Sequence, residues 1–151
     1  MKSCRSFLRV AAVGVGVTAG LWAAENIRTA SLYDRLGGMV AIRAVVDDFV
    51  TRILGDNRVN RWFAHASSDP ERATAYKAKL ADFVCQATGG PCKYAGMDMV
   101  AAHKGRGVTA EAFNSVVEDL VATLDKLKVP EKERQQLLGL LAPLKAAIVQ
   151  P

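Results

Sequence analysis

Two histidines and three cysteines are the residues of this 151-residue chain best suited to bind a metal or to change redox state. His103 follows a stretch that contains Cys85, a double glycine and Cys92. A zinc site built from His65, Cys85, Cys92 and His103 is conceivable, because imidazole and thiolate are ligands that zinc prefers. The spacing of the two cysteines is not that of a zinc knuckle, however, and a lone histidine is more often an ordinary side chain than a ligand.

The first 24 residues are typical of a signal peptide or an N-terminal anchor. A basic stretch, MKSCRSFLR, precedes the apolar run VAAVGVGVTAGLWAA, which is about as long as the core of a signal peptide and short for a membrane span. Ala23 and Ala24 are small enough for cleavage, but Leu21 and Trp22 fit the position two residues earlier poorly. The pattern therefore predicts a periplasmic or otherwise exported protein, with a membrane-anchored form as the alternative.

The formal net charge of +5 is concentrated in this leader. Three of the 20 basic residues, Lys2, Arg5 and Arg9, precede the first acidic residue, Glu25, which leaves 17 basic side chains against 15 acidic ones in the rest of the chain. A nucleic-acid partner would require a basic stripe on one face. The distribution therefore argues against nucleic-acid binding.

Export changes how the cysteines are interpreted. Cys4 belongs to the leader, so the exported domain keeps the even pair Cys85 and Cys92. In an oxidising compartment this pair is a disulfide candidate that would close the turn QATGGP and stabilise the fold by roughly 2 kcal/mol. The alternative is two free thiols.

Apolar residues recur at helical spacing in the first half of the exported chain, and no segment alternates like a strand. The pattern predicts a short helical turn in residues 31–38, a helix from Met39 to Gly55 and a helical corner at RWF. It then predicts a helix up to about Thr88, with Asp69 as its cap and Pro70 at its first position.

The second half continues the helical pattern. A short helix is predicted at MDMVAAHK, followed by a longer one that Thr109 caps and whose apolar stripe extends to Leu127. A last helix starts after Pro130 and should bend at Pro143. The carboxylates fall on the outer faces of these helices. We therefore predict an all-α fold in a single domain.

Most signature motifs of enzymes are absent: there is no nucleophile elbow, phosphate loop or paired-histidine zinc motif. One kind of site needs only one histidine, since haem iron can be held by a single neutral imidazole while apolar side chains enclose the macrocycle. Four predicted helices offer such walls: Phe49 and Val50, Tyr76 and Leu80, Phe113 and Val116, and Leu137 and Leu141. The same stripes would serve equally well as an ordinary core.

Several motifs in order resemble a known family. The stretches LYDRLGG, AIRAVVDDFVTRIL, WFA, ATGGPCKYAGMDMVAAHKGRGVT and VPEKERQQLLGLLAPLK are similar to those of the truncated haemoglobins of the first group. The resemblance covers residues 31–149. It implies a two-over-two sandwich of helices that encloses haem b (iron protoporphyrin IX), with His103 as the proximal iron ligand.

The resemblance also assigns residues to the haem pocket by position. Tyr94 would hold a haem propionate, Met99 would lie against the haem one turn before His103, and Phe63 would stack on the macrocycle. The distal side would be lined by Tyr76, Leu80 and Val84. Further haem contacts are implied for Phe113, Val116 and Leu141. A purely structural role in the core is the alternative for Val84, Phe113, Val116 and Leu141.

The chain departs from the family pattern on the distal side. The family commonly has tyrosine at the position of Val50 and often glutamine at that of Leu80, and neither valine nor leucine can donate a hydrogen bond to a bound gas. Tyr76 is the remaining candidate donor. The connection AHASSDPER is longer than usual, which leaves the register of Tyr76 open. His65 in that connection is either a solvated side chain or a sixth iron ligand.

The resemblance implies a protein that reversibly binds dioxygen, nitric oxide or carbon monoxide at a histidine-ligated iron. One alternative is a haem electron-transfer protein that uses His65. Another is a nitric oxide dioxygenase that needs a separate reductase, so whether the chain is an enzyme stays open. A haem-free interaction module of the same fold is the remaining alternative.

Overall fold

The computed structural model describes residues 30–149. The predicted leader, residues 1–24, lies outside this range. The described chain is helical and contains no strand, which confirms the all-α prediction. In order, its elements are α1 (Leu32–Arg35), α2 (Gly38–Gly55), a 3₁₀ helix (Asn60–Phe63), α3 (Pro70–Ala87), α4 (Met99–His103), α5 (Ala110–Lys126), α6 (Glu131–Leu141), a second 3₁₀ helix (Ala142–Leu144) and α7 (Lys145–Ile148). Within residues 30–149, no helix has both the length and the apolar character needed to cross a membrane.

Side-chain caps set where the helices around the site begin. Asp69 accepts a hydrogen bond from the backbone N–H of Arg72 at 2.8 Å, and Thr109 accepts one from Ala112 at 3.1 Å. Both caps were predicted, because a short polar side chain at this position satisfies an otherwise unpaired N–H of the first turn. Asp98 caps α4 in the same way, so this helix starts at Met99, two residues later than the sequence pattern suggested.

The helices form two pairs that face each other, as the two-over-two prediction requires. Helix α2 packs along α3 and against α5, while α6 contacts α1 and α7 contacts α4 and α5. Two clusters of buried side chains lie between them. One contains Phe49, Ile53, Val59, Val108, Ala112, Leu120, Leu124 and Leu137. The other contains Ile42, Val46, Val50, Ala81 and Cys85.

The prediction that the carboxylates lie on outer faces is wrong for two of them. Glu133 is buried because its carboxylate accepts a hydrogen bond from Nε of Arg35 at 3.1 Å, which ties α1 to α6. Asp119 is also buried, and its Oδ2 has no hydrogen-bond partner among residues 30–149. Burial, together with the nearby charge of Asp56, raises the pKa of Asp119 above its usual value.

The predicted bend at Pro143 is confirmed, whereas the apolar stripe of α5 stops being buried before it reaches Leu127. Helix α6 ends at Leu141, where Pro143 removes a backbone donor, and the chain passes through a 3₁₀ turn into α7. Helix α7 thereby packs against α4. Leu127 is 39% exposed because α5 has already ended there and the chain turns at Lys128, whose φ is 55°.

Candidate functional site

A cavity of about 900 Å³ lies between the two helix pairs and is lined mainly by apolar side chains. Its walls come from α2 and α3 on one side and from α4, α5, α6 and α7 on the other. The structure brings nearly all of the sequence-predicted site residues into this lining: Phe63, Tyr76, Leu80, Val84, Tyr94, Met99, His103, Phe113, Val116 and Leu141. Residues that are more than 70 positions apart in the chain therefore meet at one enclosed space.

His103 is the last residue of α4 and its ring lies in the cavity wall. Its Nδ1 is 2.8 Å from the backbone carbonyl oxygen of Met99, one turn earlier. A carbonyl oxygen can only accept, so Nδ1 carries the proton and Nε2 keeps a free lone pair. This arrangement fixes both the tautomer and the ring orientation, as is usual for metal-binding histidines.

Tyr76 brings an uncharged hydroxyl to the α3 wall, where Leu80 and Val84 supply apolar surface. Its ring packs against Phe63 with a centroid distance of 6.1 Å. No hydrogen bond of its hydroxyl is found within the described chain. Burial raises the pKa of Tyr76 to about 12, so the hydroxyl stays protonated and can donate at neutral pH.

The structure differs from the prediction at Val50. This side chain is 1% exposed and packs in the cluster with Ile42, Val46 and Ala81, and it is not part of the cavity lining. Val46 and Phe49 of α2 form this part of the wall instead. Val46 lies one helical turn before Val50, so the same sequence periodicity could have identified it.

Tyr94 lies in the loop between α3 and α4 and is held on three sides. Its backbone N–H donates to the side-chain carbonyl of Gln86 at 2.8 Å, and its hydroxyl donates to the carbonyl of Met97 at 3.1 Å. The ring meets Phe83 edge-on at 5.3 Å between centroids. This hydroxyl has a single proton to donate, which the carbonyl of Met97 accepts here, and a carboxylate can only accept. The role assigned to Tyr94 at a haem propionate stays a prediction.

His65 sits at the edge of the cavity and is exposed. Nη1 of Arg72 is 2.7 Å from its Nε2 and 3.2 Å from its Nδ1. A guanidinium can only donate, so a ring nitrogen of His65 serves as the acceptor. The contact disfavours His65 as a sixth iron ligand.

The zinc alternative is excluded by the cysteines. Cys85 and Cys92 form a disulfide with their Cα atoms 5.8 Å apart, which confirms the predicted pair and removes both thiolates. In the part of the chain that the structure describes, no group of three or more His, Cys, Asp or Glu side chains could hold a metal ion.

Sequence reasoning missed the cationic side chains at the edge of the cavity. Lys79 and Arg106 are exposed but contribute to its lining. Lys79 lies three residues after Tyr76 and thus on the same side of α3, which is a signal that helical periodicity provides. The loop that carries Arg106 is fixed by Trp62, whose Nε1 donates to the carbonyl of Arg106 at 3.0 Å.

Comparisons with known proteins agree on one family. The model of the bacterial-like globins matches residues 31–150. The group 1 truncated hemoglobin of Mycolicibacterium paratuberculosis is 36% identical over 115 residues, covering 76% of this chain and 81% of that protein. The group 1 truncated hemoglobin of a Synechocystis species is 41% identical over 105 residues, covering 67% and 81%. Among solved structures, the 2/2 hemoglobin from a Synechococcus species, with covalently attached heme, superposes with a TM-score of 0.71 at 31% identity and covers 80% of this chain and 98% of that one.

Proposed function

Since the chain belongs to the bacterial-like globin family, we propose that it holds haem b through His103 and reversibly binds a diatomic gas on the opposite side of the macrocycle. The main support for this proposal is the geometry of His103. Its Nδ1–H is tied to the carbonyl of Met99, so that Nε2 is left as a free ligand atom in the wall of a large apolar cavity.

The cavity suits a flat, largely apolar cofactor. Its volume of about 900 Å³ lies within the range of sites for small molecules and cofactors, and its lining is dominated by aliphatic and aromatic side chains. A site of this kind takes up an apolar ring system and excludes water. Lys79 and Arg106 at its edge match the negative charge of carboxylate substituents on such a ring.

Bound haem supplies one open coordination position for a gas. The residues of the chain determine what is held there. His103 fixes the cofactor from the α4 side, while Leu80, Val84 and Phe49 give the α3 side an apolar surface. Tyr76 offers a neutral hydroxyl donor to the gas. A donor favours dioxygen, which takes on negative charge when bound, over carbon monoxide, which takes on little.

Reversible binding is better supported than the two alternatives. Electron transfer that uses His65 would require a second free ligand atom, and the ring nitrogens of His65 lie 2.7 and 3.2 Å from Nη1 of Arg72. Dioxygenation of nitric oxide would require a separate reductase, and no feature of residues 30–149 favours that reaction over reversible binding. Nitric oxide is therefore proposed as a ligand alongside dioxygen.

We further propose that the protein acts outside the cytoplasm. The support comes from two independent features: the signal-like residues 1–24 and the Cys85–Cys92 disulfide. Disulfides persist in the periplasm and outside the cell and are rare in reducing compartments. Detection of the haem-containing protein in a periplasmic or membrane fraction of the native host would test this assignment.

Absorption spectra of the whole chain reconstituted with hemin test the haem proposal. We expect a Soret band that shifts when carbon monoxide is added to the ferrous protein. The H103A variant should lose or strongly alter this band, because the ligand atom is gone. H65A is the matched control and should leave the spectrum unchanged. A normal carbon monoxide spectrum in H103A would refute the assignment of the ligand.

A further inference from the structure

Helix α4, which ends in His103, has few anchors of its own. It spans five residues, none of which is buried, and α7 is the element against which it chiefly packs. It is preceded by residues 88–98, which contain no helix. A short and partly exposed element of this kind is expected to open locally at low cost. The position of His103 therefore depends on what holds the preceding loop.

The first restraint on this loop is the disulfide. Cys85 is fully buried in the last turn of α3. Cys92 lies four residues after Thr88, which is the C-cap of this helix. The turn is fitted closely around the sulfur of Cys85. A Cβ at Gly90 would lie 2.6 Å from Sγ of Cys85 and 2.5 Å from the ring of Tyr33, so only glycine fits there. The N–H of Gly90 also donates to the carbonyl of Cys85 at 2.8 Å.

A chain of contacts continues from the disulfide to His103. Two residues after Cys92, Tyr94 is held by Gln86 and Phe83, which both lie in α3 on either side of Cys85. The hydroxyl of Tyr94 then holds the carbonyl of Met97. The next residue, Asp98, caps α4 and so sets the place of its first turn.

The last step of this chain is the carbonyl of Met99, which orients the ring of His103. From Tyr94 onward, the steps that lead to His103 are hydrogen bonds within this segment, and Tyr94 also anchors the segment to α3 through Gln86 and Phe83. The disulfide is the covalent link of that segment to a long helix.

We infer that the Cys85–Cys92 disulfide is a positioning bridge for His103. It fixes the segment that carries the proposed iron ligand to α3, whose Tyr76, Leu80 and Val84 form the opposite wall of the cavity. The two sides of the proposed haem site are therefore joined by a covalent link as well as by packing. That the bridge helps to hold haem rests on the function proposed above. That the bridge restrains residues 92–103 does not depend on that function.

Hydrogen exchange measured by mass spectrometry on the full chain, with and without hemin, tests this inference. The C85A/C92A variant removes the bridge. The matched control is I53V, which trims a fully buried side chain of α2 outside the cavity lining and destabilises the fold globally. We expect the amides of residues 92–103 to exchange faster in C85A/C92A by about tenfold or more, while α2 and α5 change no more than in I53V.

Two further readouts report on His103 itself. With hemin bound, C85A/C92A should release haem to an excess of an apoglobin acceptor several-fold faster than I53V. Its iron–histidine stretching band in the resonance Raman spectrum of the ferrous protein should shift or broaden. Both changes follow from looser orientation of the ring, and a purely global loss of stability would not produce the second.

The outcomes separate the two proposals. Equal acceleration along the whole chain, or no acceleration in residues 92–103, would overturn the positioning role. Local acceleration in a chain that takes up no hemin would support the bridge and refute the proposed function.

Discussion

Replacing Tyr76 by phenylalanine removes the polar group of the α3 wall and little else. The ring that packs against Phe63 is kept, and the hydroxyl makes no hydrogen bond within residues 30–149 that would be lost. The variant therefore isolates the interaction between this hydroxyl and a bound gas. Tyr33→Phe is the control for loss of a tyrosine hydroxyl outside the cavity lining, and it additionally removes the hydrogen bond that this hydroxyl accepts from the N–H of Met39 at 3.0 Å.

The expected magnitude follows from the nature of the donor. A buried hydrogen bond to a group that carries charge contributes about 1.5–3 kcal/mol. Each 1.4 kcal/mol corresponds to about a factor of ten in an equilibrium constant, so Y76F should weaken dioxygen binding by roughly 10- to 100-fold. The change should appear mainly as faster dissociation. Carbon monoxide should respond much less, because it carries little charge when bound.

Stopped-flow displacement of dioxygen by carbon monoxide measures the dissociation rate, and flash photolysis measures the association rates of both gases. The decisive quantity is the ratio of the two affinities, which does not depend on the amount of folded protein. If this ratio is the same in Y76F, in Y33F and in the unaltered chain, the hydroxyl does not contact the ligand and the reasoning fails.

Two predictions concern stability and pH. The pKa of Tyr76 is raised to about 12 in the folded protein from 10 in the unfolded chain, so the unfolded chain loses this proton first as the pH rises. The free energy of unfolding should therefore fall between pH 10 and 12, by up to roughly 2–3 kcal/mol. Urea unfolding of the apoprotein should show this loss reduced in Y76F, and parallel curves for the two proteins would contradict it. Asp119→Asn should raise the free energy of unfolding at pH 7, measured with urea, by on the order of 1 kcal/mol, since a neutral amide replaces a buried and partly unpaired carboxylate. Because the pKa of Asp119 is raised in the folded protein, ionisation of this carboxyl lowers stability as the pH rises above about 4. The extra stability of the Asn variant should therefore vanish at lower pH. Extra stability that persists there would point to another cause.

The elements around the site were predictable where a local signal determines them. Asp69 and Thr109 mark the starts of α3 and α5 because a cap needs only its own turn, and Pro143 ends α6 for an equally local reason. The pairing of Cys85 with Cys92 followed from their number and spacing once export was assumed.

The features that sequence reasoning missed depend on distant neighbours. Helix α2 buries side chains toward both α3 and α5, so its periodicity marks Val46, Phe49 and Val50 as interior without showing which of them faces the cavity. The burial of Glu133 depends on Arg35, which lies 98 positions away, and no local pattern reports such a partner.

The hydrogen bond from His103 to Met99 has a consequence for the basicity of the imidazole as a metal ligand. A histidine whose Nδ1–H donates to a carbonyl is a more basic ligand at Nε2 than one whose Nδ1–H faces solvent. A more basic ligand stabilises the oxidised state of a metal and lowers its reduction potential. The acceptor is a main-chain oxygen, so substitution of the side chain at position 99 would leave this effect in place. At the proposed haem site, the basicity of the ligand would therefore be set by the backbone of α4, while the side chains of α3 would determine the affinity for the gas.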